Sequence, residues 1–585
     1  MSRGGSTALV DDAEPSDAYK RSPSSSSSAS THKKNDSASE HTPLLPVSSP
    51  PSNGEVIDIR APSHRHSPTA IVFVMLVTII MLSCGDQLMD APQTRIFESI
   101  YCYKYWEKKD PSKILLGRDA VGPGAIGGVD EHWCKGAEIQ GLMAAQKGNQ
   151  VFFDNIPSLL LAIPFGWVAD RYGRKPILLL GLLSFPLKEI WIKLVCWFWQ
   201  SFDPHTAWFG ALCGLLGGAT PVVSALYFVV LSDVLPEAKR YKHSAIQADY
   251  IKIKLTFTRS ATFLRIGAAN LFAYFVAPPI AAWLMYYNPW IPVFLGLVLE
   301  FMTVTLGIWL PETLDYTHSS LPPKPSRSRQ PSGEHLAYPG PDAEFESPPV
   351  SANFPARWTT KIKDATSFLF KDWRVVALTA TFVVHMFTSA ALMMQIQYAS
   401  ARYDLSLSCA TVYVSLRGGF TFLFLGFLFP AFTKYIAQRF SLDGRHSDLY
   451  LSRLSAAMMG LGFVLTAFAP SSPVFIFSLL VVTLGSGFPL LLRSFLTGLV
   501  QSHDIAKLYS LISVVDTLGL MVGSPLLAKT LEAGMRLGGL GAGLPYWCVG
   551  ALYAAVTVLM LLVRVKKGEG DAERYDEARQ GEESD

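Results

Sequence analysis

Five ionisable residues interrupt long apolar stretches of the chain, where an isolated charge is costly. They are Asp154, Glu300, His385, Arg417 and Asp516. Ionisable side chains within membrane-spanning segments usually line a cavity, pair with one another or carry protons. A carboxyl group in apolar surroundings can exchange a proton, so Asp154 and Asp516 are the first candidates for a proton relay. His385, which titrates nearest neutral pH, is the third, and Arg417 can hold an anionic substrate group or a carboxylate. For each of the five, one half of an interhelical ion pair is the alternative interpretation.

Four further ionisable residues in apolar stretches have simpler interpretations. Glu189 and Lys193 are four residues apart and can neutralise each other on one helix face. Asp86 falls close to the outer end of the first predicted span, within reach of water. Arg493 lies toward a cytosolic helix end, from which its side chain can extend to the interface.

The composition is that of a membrane protein with polar ends. Of 585 residues, 50% are hydrophobic and 17% are charged, and the mean hydropathy is +0.26. A soluble domain usually carries about 25% charged residues. The first apolar stretch begins near Thr69, too far into the chain for a secretory signal peptide. The net charge of +3 gives no reason to expect nucleic-acid binding.

Twelve stretches are long and apolar enough to be membrane-spanning helices, which need about 20 residues each. They are 69–90, 148–168, 176–199, 206–230, 261–284, 290–310, 375–397, 409–431, 453–470, 474–496, 508–530 and 544–564. We therefore predict an all-α membrane protein with two bundles of six helices each. The predicted divisions are a disordered N-terminal tail (1–68), a first bundle (69–310), a Pro/Ser-rich linker (311–374), a second bundle (375–565) and a C-terminal tail (566–585).

Lysine and arginine mark the cytosolic loops of a membrane protein. They cluster after the second, fourth and eighth spans, whereas the loops "SFDPHT", "YYNPW" and "APSSP" contain none. This asymmetry predicts that both termini are cytosolic. The segment after the first span then lies outside the cytosol. Its Cys102 and Cys134 can form a disulfide there, while the other five cysteines fit an apolar core.

A dense charged turn, "GWVADRYGRKP", separates the second and third spans. Its glycines permit a tight reversal, and Pro176 suits the first turn of the following helix. Anchoring to an anionic membrane surface would need only the cations. Anchoring does not account for the spacing of the aspartate and the glycines.

That turn resembles the signature loop of the major facilitator superfamily, G-x-x-x-D-R-x-G-R-[RK]. The matching residues are Gly166, Asp170, Arg171, Gly173, Arg174 and Lys175. In that family the loop joins helices two and three, and a long linker follows helix six. The resemblance implies that Asp170 is a reversible latch, which approaches the N-terminus of helix eleven, near Leu508, in the outward-open state. The alternative is a static membrane anchor.

Local stretches give a finer resemblance. The segments "PQTRIFESIYC", "DEHWCKG" and "LPETL" are similar to a fungal branch distantly related to the proton-coupled folate and heme carriers of animals. The fifth span resembles the family's antiporter motif, in which small residues surround a proline. Its residues are Ala273, Ala277, Pro278, Ala281 and Ala282. A packing seam accounts for them equally well. The fourth span lacks the arginine of the family's drug–proton antiporters.

Three segments outside the spans carry separate predictions. Glu40, Leu44 and Leu45 in "EHTPLL" fit an acidic dileucine sorting signal. The polar stretch 241–260 is either an insertion or translated intron sequence. The segment 358–371 is either a helix lying on the membrane surface or a plain helical linker.

These observations predict a secondary transporter that moves a small organic solute by alternating access, with protons as the coupling ion. The antiporter-like motif slightly favours export, and the similarity to folate and heme carriers slightly favours uptake. A nutrient sensor that transports nothing is the rival interpretation. No GxxxxGK[ST] loop, nucleophile–base constellation or metal-ligand spacing is present, so we expect no ATP drive, enzymatic activity, cofactor or metal. The expected form is a monomer in the plasma or vacuolar membrane, with the substrate, protons and bilayer lipid as its partners.

Overall fold

A computed structural model of the chain describes residues 68–122, 124, 126–234, 259–312, 372–440, 444–500 and 504–563. The sorting signal, most of the 241–260 stretch, the 358–371 segment and most of the linker and tails lie outside these residues. The described residues form helices and no strands, which confirms the all-α fold class.

The described helices form twelve rods, which we number α1 to α12. In the first half, the rods are α1 (Pro68–Lys109), α2 (Ala137–Tyr172), α3 (Arg174–Trp197), α4 (Ala219–Val234, preceded by the 3-10 helix Pro204–Leu216), α5 (Arg259–Tyr287) and α6 (Trp290–Trp309). In the second half, they are α7 (Trp373–Met393, with a short extension Gln395–Arg402), α8 (Leu407–Leu423, π-helix Phe424–Leu428, then Phe429–Phe440), α9 (Gly444–Phe468), α10 (Ser472–Leu484 and Phe488–Thr497), α11 (Ile505–Leu537) and α12 (Leu544–Leu562).

Ten of these rods contain an apolar window long enough to cross a membrane. The other two, α2 and α3, are long enough but carry several ionisable residues each. Five of those charged residues have an oppositely charged group within 4.0 Å: Lys147, Asp154, Lys188, Glu189 and Lys193. Such pairing is the usual way in which a membrane helix accommodates ionisable residues.

The first two helices are longer than their predicted spans of 69–90 and 148–168. The additional turns belong to one buried cluster, which contains Cys102 and Tyr103 of α1 and Ile139 and Met143 of α2. A disulfide joins Cys102 of α1 to Cys134 in the helical turn Glu131–Lys135. We call this end of the bundle the disulfide end, and the opposite end, where α2 turns into α3, the Gly173 end.

Two helix pairs join the halves: α2 packs on α11, and α5 packs on α8. Gly418 of α8 lies so close to α5 that an added Cβ would stand 2.6 Å from the carbonyl oxygen of Tyr274. Next to it, the Ser415 hydroxyl donates to the Phe275 carbonyl at 2.6 Å. Such close contacts depend on small residues.

The alanines of the antiporter-like motif, Ala273, Ala277, Ala281 and Ala282, are all buried. Ala277 and Ala281 pack with Leu88 of α1, so these two positions form a seam between α5 and α1. A functional role of the motif beyond packing stays a prediction.

Candidate functional site

A cavity of about 570 Å³ lies between the two halves, midway along the rods. Its first-half wall consists of Asp86, Gln87, Met89, Asp90, Gln93, Lys147, Gln150, Val151, Lys188, Glu189, Leu271 and Tyr274. Its second-half wall consists of Met386, Ser389, Leu392, Met393, Ile396, Val414, Arg417, Gly418, Thr421 and Leu520. Among the five sequence candidates, Arg417 belongs to this lining.

An ion network centred on Lys188 begins in the first-half wall and continues behind it. The Lys188 ammonium lies 3.5 Å from a carboxylate oxygen of Asp154 and 3.5 Å from one of Glu189. Glu189 also pairs with Lys193, as the four-residue spacing predicts. The Lys193 ammonium in turn donates to the amide oxygen of Gln93 at 2.6 Å. The network therefore joins α1, α2 and α3.

Glu300 of α6 borders this network and is only 3% exposed. Its Oε2 atom accepts no hydrogen bond from the described residues. Glu189 and Asp86 both lie within electrostatic range of it. Protonation of this oxygen would therefore break no hydrogen bond to the described residues.

Asp86 lies in the wall of the central cavity, which corrects its predicted position near a helix end. The prediction ended the first span at residue 90, but α1 continues to Lys109, so Asp86 is close to the middle of the helix. The charged residues after position 90 suggested a loop. They remain helical because they pack against neighbouring helix ends.

In the second half, Asp516 of α11 and Arg493 of α10 form an interhelical ion pair, with a distance of 2.9 Å between Nη2 and Oδ2. Arg493 therefore does not extend toward the interface, as its position in the sequence had suggested. The Arg493 guanidinium also lies 5.4 Å from the centre of the Phe382 ring. The Nδ1 atom of His385 has no hydrogen-bond partner among the described residues. These groups stand behind the second-half wall.

At the Gly173 end, the signature turn is held by Glu312, which follows α6. Gly173 has a φ of 107°, a left-handed conformation that favours glycine. The Glu312 carboxylate accepts hydrogen bonds from the backbone N–H groups of Arg174 (3.0 Å) and Lys175 (3.2 Å). The Lys175 ammonium donates to the Ile308 carbonyl at 2.8 Å. An acidic group near the N-terminus of a helix is favourable, and Glu312 has this position relative to α3. The glutamate in "LPETL" was the sequence feature that could have indicated this contact.

The side chain of Asp170 is outside the part of the chain that the structure describes, so its role as a latch stays a prediction. Gly166, one turn earlier on α2, has open space where a Cβ atom would stand. Near the other end of the same helix, a Cβ atom on Gly148 would come within 2.8 Å of Ala528 and 2.9 Å of the Ser524 carbonyl oxygen on α11. Helices α2 and α11 are thus in tight contact toward the disulfide end.

Polar contacts also connect the halves at the disulfide end, beginning at the turn that contains Cys134. Glu131 accepts a hydrogen bond from the backbone N–H of Leu407 at 2.8 Å, at the start of α8. Lys135 donates to Glu131 at 2.8 Å and to the Ser400 hydroxyl at 2.7 Å. Because Ser400 and Leu407 belong to the second half, these contacts join the halves at this end, and we propose that they act as a gate that is closed in this structure.

The charge of Glu131 strengthens this gate. Burial raises the pKa of the Glu131 carboxyl, but the charges of Arg95 and Lys135 and the hydrogen bonds from Lys135 and Leu407 outweigh burial. The pKa of Glu131 therefore lies below its usual value. A depressed carboxyl pKa contributes stability above the unfolded pKa of about 4.3, and that contribution is lost as the pH falls through the lowered value.

Replacing Glu131 with glutamine is expected to open the gate at neutral pH. The amide still accepts the hydrogen bond from Leu407 across the halves, but that bond is no longer made to a charged group, at a cost to the closed state of about 1 kcal/mol. The measurement is labelling of a Ser389→Cys variant by an impermeant maleimide from the disulfide side, with the five free cysteines replaced by alanine. At pH 7, where the thiol still reacts with a maleimide, labelling should be higher in Glu131→Gln than in the protein that keeps Glu131. Equal labelling of both proteins at pH 7 would contradict the proposed gate.

Within the described residues, no group of three His, Cys, Asp or Glu side chains is placed to hold a metal ion. The arrangement consists of a central cavity, an internal ion network and a closed gate. Its chemistry is that of binding a solute and moving charge.

Comparisons with known proteins agree with this geometry. A sequence model of the Major Facilitator Superfamily matches residues 138–524. The chain is 28% identical to the MFS efflux pump atnC of Emericella nidulans over 547 residues, which cover 92% of this chain and 95% of that protein. It is 28% identical to the efflux pump ustT of Aspergillus flavus over 481 residues, covering 82% of this chain and 85% of that protein. The crystal structure of a D-xylose-proton symporter superimposes with a TM-score of 0.54 at 12% identity, over 86% of this chain and 99% of that one.

Proposed function

This chain belongs to the Major Facilitator Superfamily and is a secondary transporter of the membrane, and from that premise we propose that it exports a small organic solute in exchange for protons. The observation that carries the proposal is the central cavity, which both halves line and which the ion network borders. Two of the relatives are named efflux pumps, which supports the outward direction. Solute binds in the cavity, and the halves rock about it to expose it to one side at a time.

We propose that the disulfide end faces outward and that both termini are cytosolic. A disulfide persists in an oxidising compartment, and the basic signature turn lies at the other end. The state described here then has its outer gate closed. Whether the protein resides in the plasma membrane or the vacuolar membrane stays a prediction from the tail.

Protons are proposed to enter through Asp86 and to be stored on Glu300. Asp86 is exposed to the cavity, and Glu300 is buried next to it with an oxygen that has no hydrogen-bond partner among the described residues. Asp154 and Asp516, the first candidates from the sequence, are each engaged by a cation. Within this scheme, Asp154 holds Lys188 in place, and the pair formed by Asp516 and Arg493 connects α10 to α11.

If the protein exports a solute, the growth medium of cells that produce the wild-type protein should differ from that of cells that produce an inactive variant. Yeast cells producing the wild-type protein or a Gly148→Trp variant, whose gate cannot close, are grown on ¹³C-labelled carbon. The wild-type medium should contain at least one labelled organic solute that the variant medium lacks. Everted vesicles should then accumulate that solute when their interior is made acidic, and a Glu300→Gln variant should lose this dependence on pH.

Two outcomes would count against the proposal. Identical media, together with no flux in the vesicles, would favour the sensor interpretation. Transport that does not depend on the imposed pH gradient would support export but contradict its coupling to protons.

A further inference from the structure

The two walls of the central cavity differ in chemistry. The first-half wall is polar, with three carboxylates and two ammonium groups among its side chains. The second-half wall is mainly aliphatic and methionine-rich, and Arg417 is its one charged residue among those that the structure describes. The cavity is therefore amphipathic, and its field directs a negative charge toward the second half.

The cations of the polar wall already have carboxylate partners. Lys147 lies 2.7 Å from a carboxylate oxygen of Asp90, and Lys188 pairs with the acids described above. Arg417 differs, because no carboxylate of the described residues lies within 4.0 Å of its guanidinium, and its Nε atom is buried without a hydrogen-bond partner. A buried donor that lacks an acceptor is costly, and an anionic ligand would satisfy it.

We propose that the transported solute is an amphipathic organic anion, whose carboxylate, sulfate or phosphate group binds Arg417. Its apolar body lies against the opposite end of the same wall, on side chains such as Met386, Met393 and Leu520. The inference rests on the proposed function, since it names the substrate class of the same cavity.

The features of the wall fit that class of ligand. A guanidinium presents a planar fork of donors that matches a carboxylate or phosphate better than an ammonium group does. Methionine side chains adapt to apolar bodies of different shape. A volume of about 570 Å³ falls within the range of about 300–1,000 Å³ that is usual for sites of drug-sized molecules.

The test compares three probes that share one apolar body: 1-naphthaleneacetate, 1-naphthaleneacetamide and 1-naphthylmethylammonium. Their binding to the purified full chain is measured by calorimetry at pH 7. The anion is expected to bind about 10- to 100-fold more tightly than the neutral amide, the range for a hydrogen-bonded buried charge. Arg417→Gln should reduce that preference to about threefold or less, and Arg417→Lys should leave part of it.

Arg536→Gln is the matched control, because it removes an arginine charge from an exposed pair with Glu532 outside the cavity. This variant should keep the full preference for the anion. Equal binding of anion and amide, tightest binding of the ammonium probe, no binding of the anion at millimolar concentration, or a preference that survives Arg417→Gln would each overturn the proposal.

These outcomes are separate from the test of export. A preference for the anion without a difference between the media would support the anion site but contradict the export function. Proton-dependent export without a preference for the anion would support export but contradict the anion site.

Discussion

A tryptophan at position 148 is expected to abolish transport while the protein still folds into the membrane. Gly148 lies where α2 meets α11, and an added Cβ atom would stand 2.8 Å from Ala528 and 3.2 Å from the Cα atom of Pro525. Two of the three nearest atoms belong to the backbone of α11, which cannot rotate away as a side chain can. An indole at this position keeps the two helices apart.

The expected loss follows from the need to populate two states. A clash that costs the closed state about 3 kcal/mol lowers its population by roughly 100-fold relative to the open one. In the proposed rocking motion α2 and α11 separate at this end when the gate opens, which leaves room for the indole in the open state. Since every transport cycle passes through the closed state, export of the solute should fall by up to about 100-fold, whereas the amount of protein in the membrane should change little.

The measurement is again labelling of Ser389→Cys from the disulfide side, which should approach completion in Gly148→Trp. Gly267→Trp on α5 is the matched control, since Gly267 is exposed and nothing lies within 4 Å of its added Cβ atom. It should transport normally. Normal export by Gly148→Trp would show that the contact between α2 and α11 does not need to form during transport.

Gly166 supplies the opposite comparison on the same helix. It has free space in this state, but the latch prediction brings the signature turn against α11 when the other state forms. Gly166→Trp should thus leave labelling from the disulfide side low while also blocking transport. If Gly166→Trp transports normally, the static anchor becomes the better interpretation of the turn.

The sequence was sufficient to predict the twelve helices, the division into two halves and the family. These features depend on long apolar stretches and on a loop whose spacing is specific, both of which are local. The ends of α1 and α2 were not predictable in this way. Their charged turns are helical only because they pack on each other at the disulfide end, which is a tertiary effect.

The same distinction between local and tertiary effects applies to the site residues. Arg417 was identified because an arginine within an apolar stretch is unusual. Glu131 and Glu312 were not, since acids in polar segments look like solvated surface until their partners in distant parts of the chain are known. Asp154 and Asp516 were ranked first for being buried acids, but only the three-dimensional structure shows that each has a cation beside it.

Replacing Lys188 with methionine is expected to remove both stability and transport. Methionine keeps most of the length of the side chain, so the change mainly removes charge. Asp154 and Glu189 would lose a shared cation in the interior, and breaking a buried ion pair from one side typically costs about 3–5 kcal/mol. The melting temperature of the purified protein should fall markedly, and export should become undetectable.

Lys109→Met provides the surface control. Its ammonium pairs with Glu138 in an exposed position, where an ion pair contributes only about 0–1 kcal/mol. It should change neither the melting temperature nor export.

A second substitution separates the two roles of Lys188. Adding Asp154→Asn to Lys188→Met removes the carboxylate that has lost its cation, whereas Glu189 keeps Lys193, so the melting temperature should recover in part. If Lys188 serves only to stabilise the helices, export should recover with it. If the charge of Lys188 also governs when Asp86 and Glu300 release their protons, export should stay absent in the stable double variant. A Lys188→Met protein with unchanged melting temperature and export would mean that the ion network behind the cavity wall has no part in either.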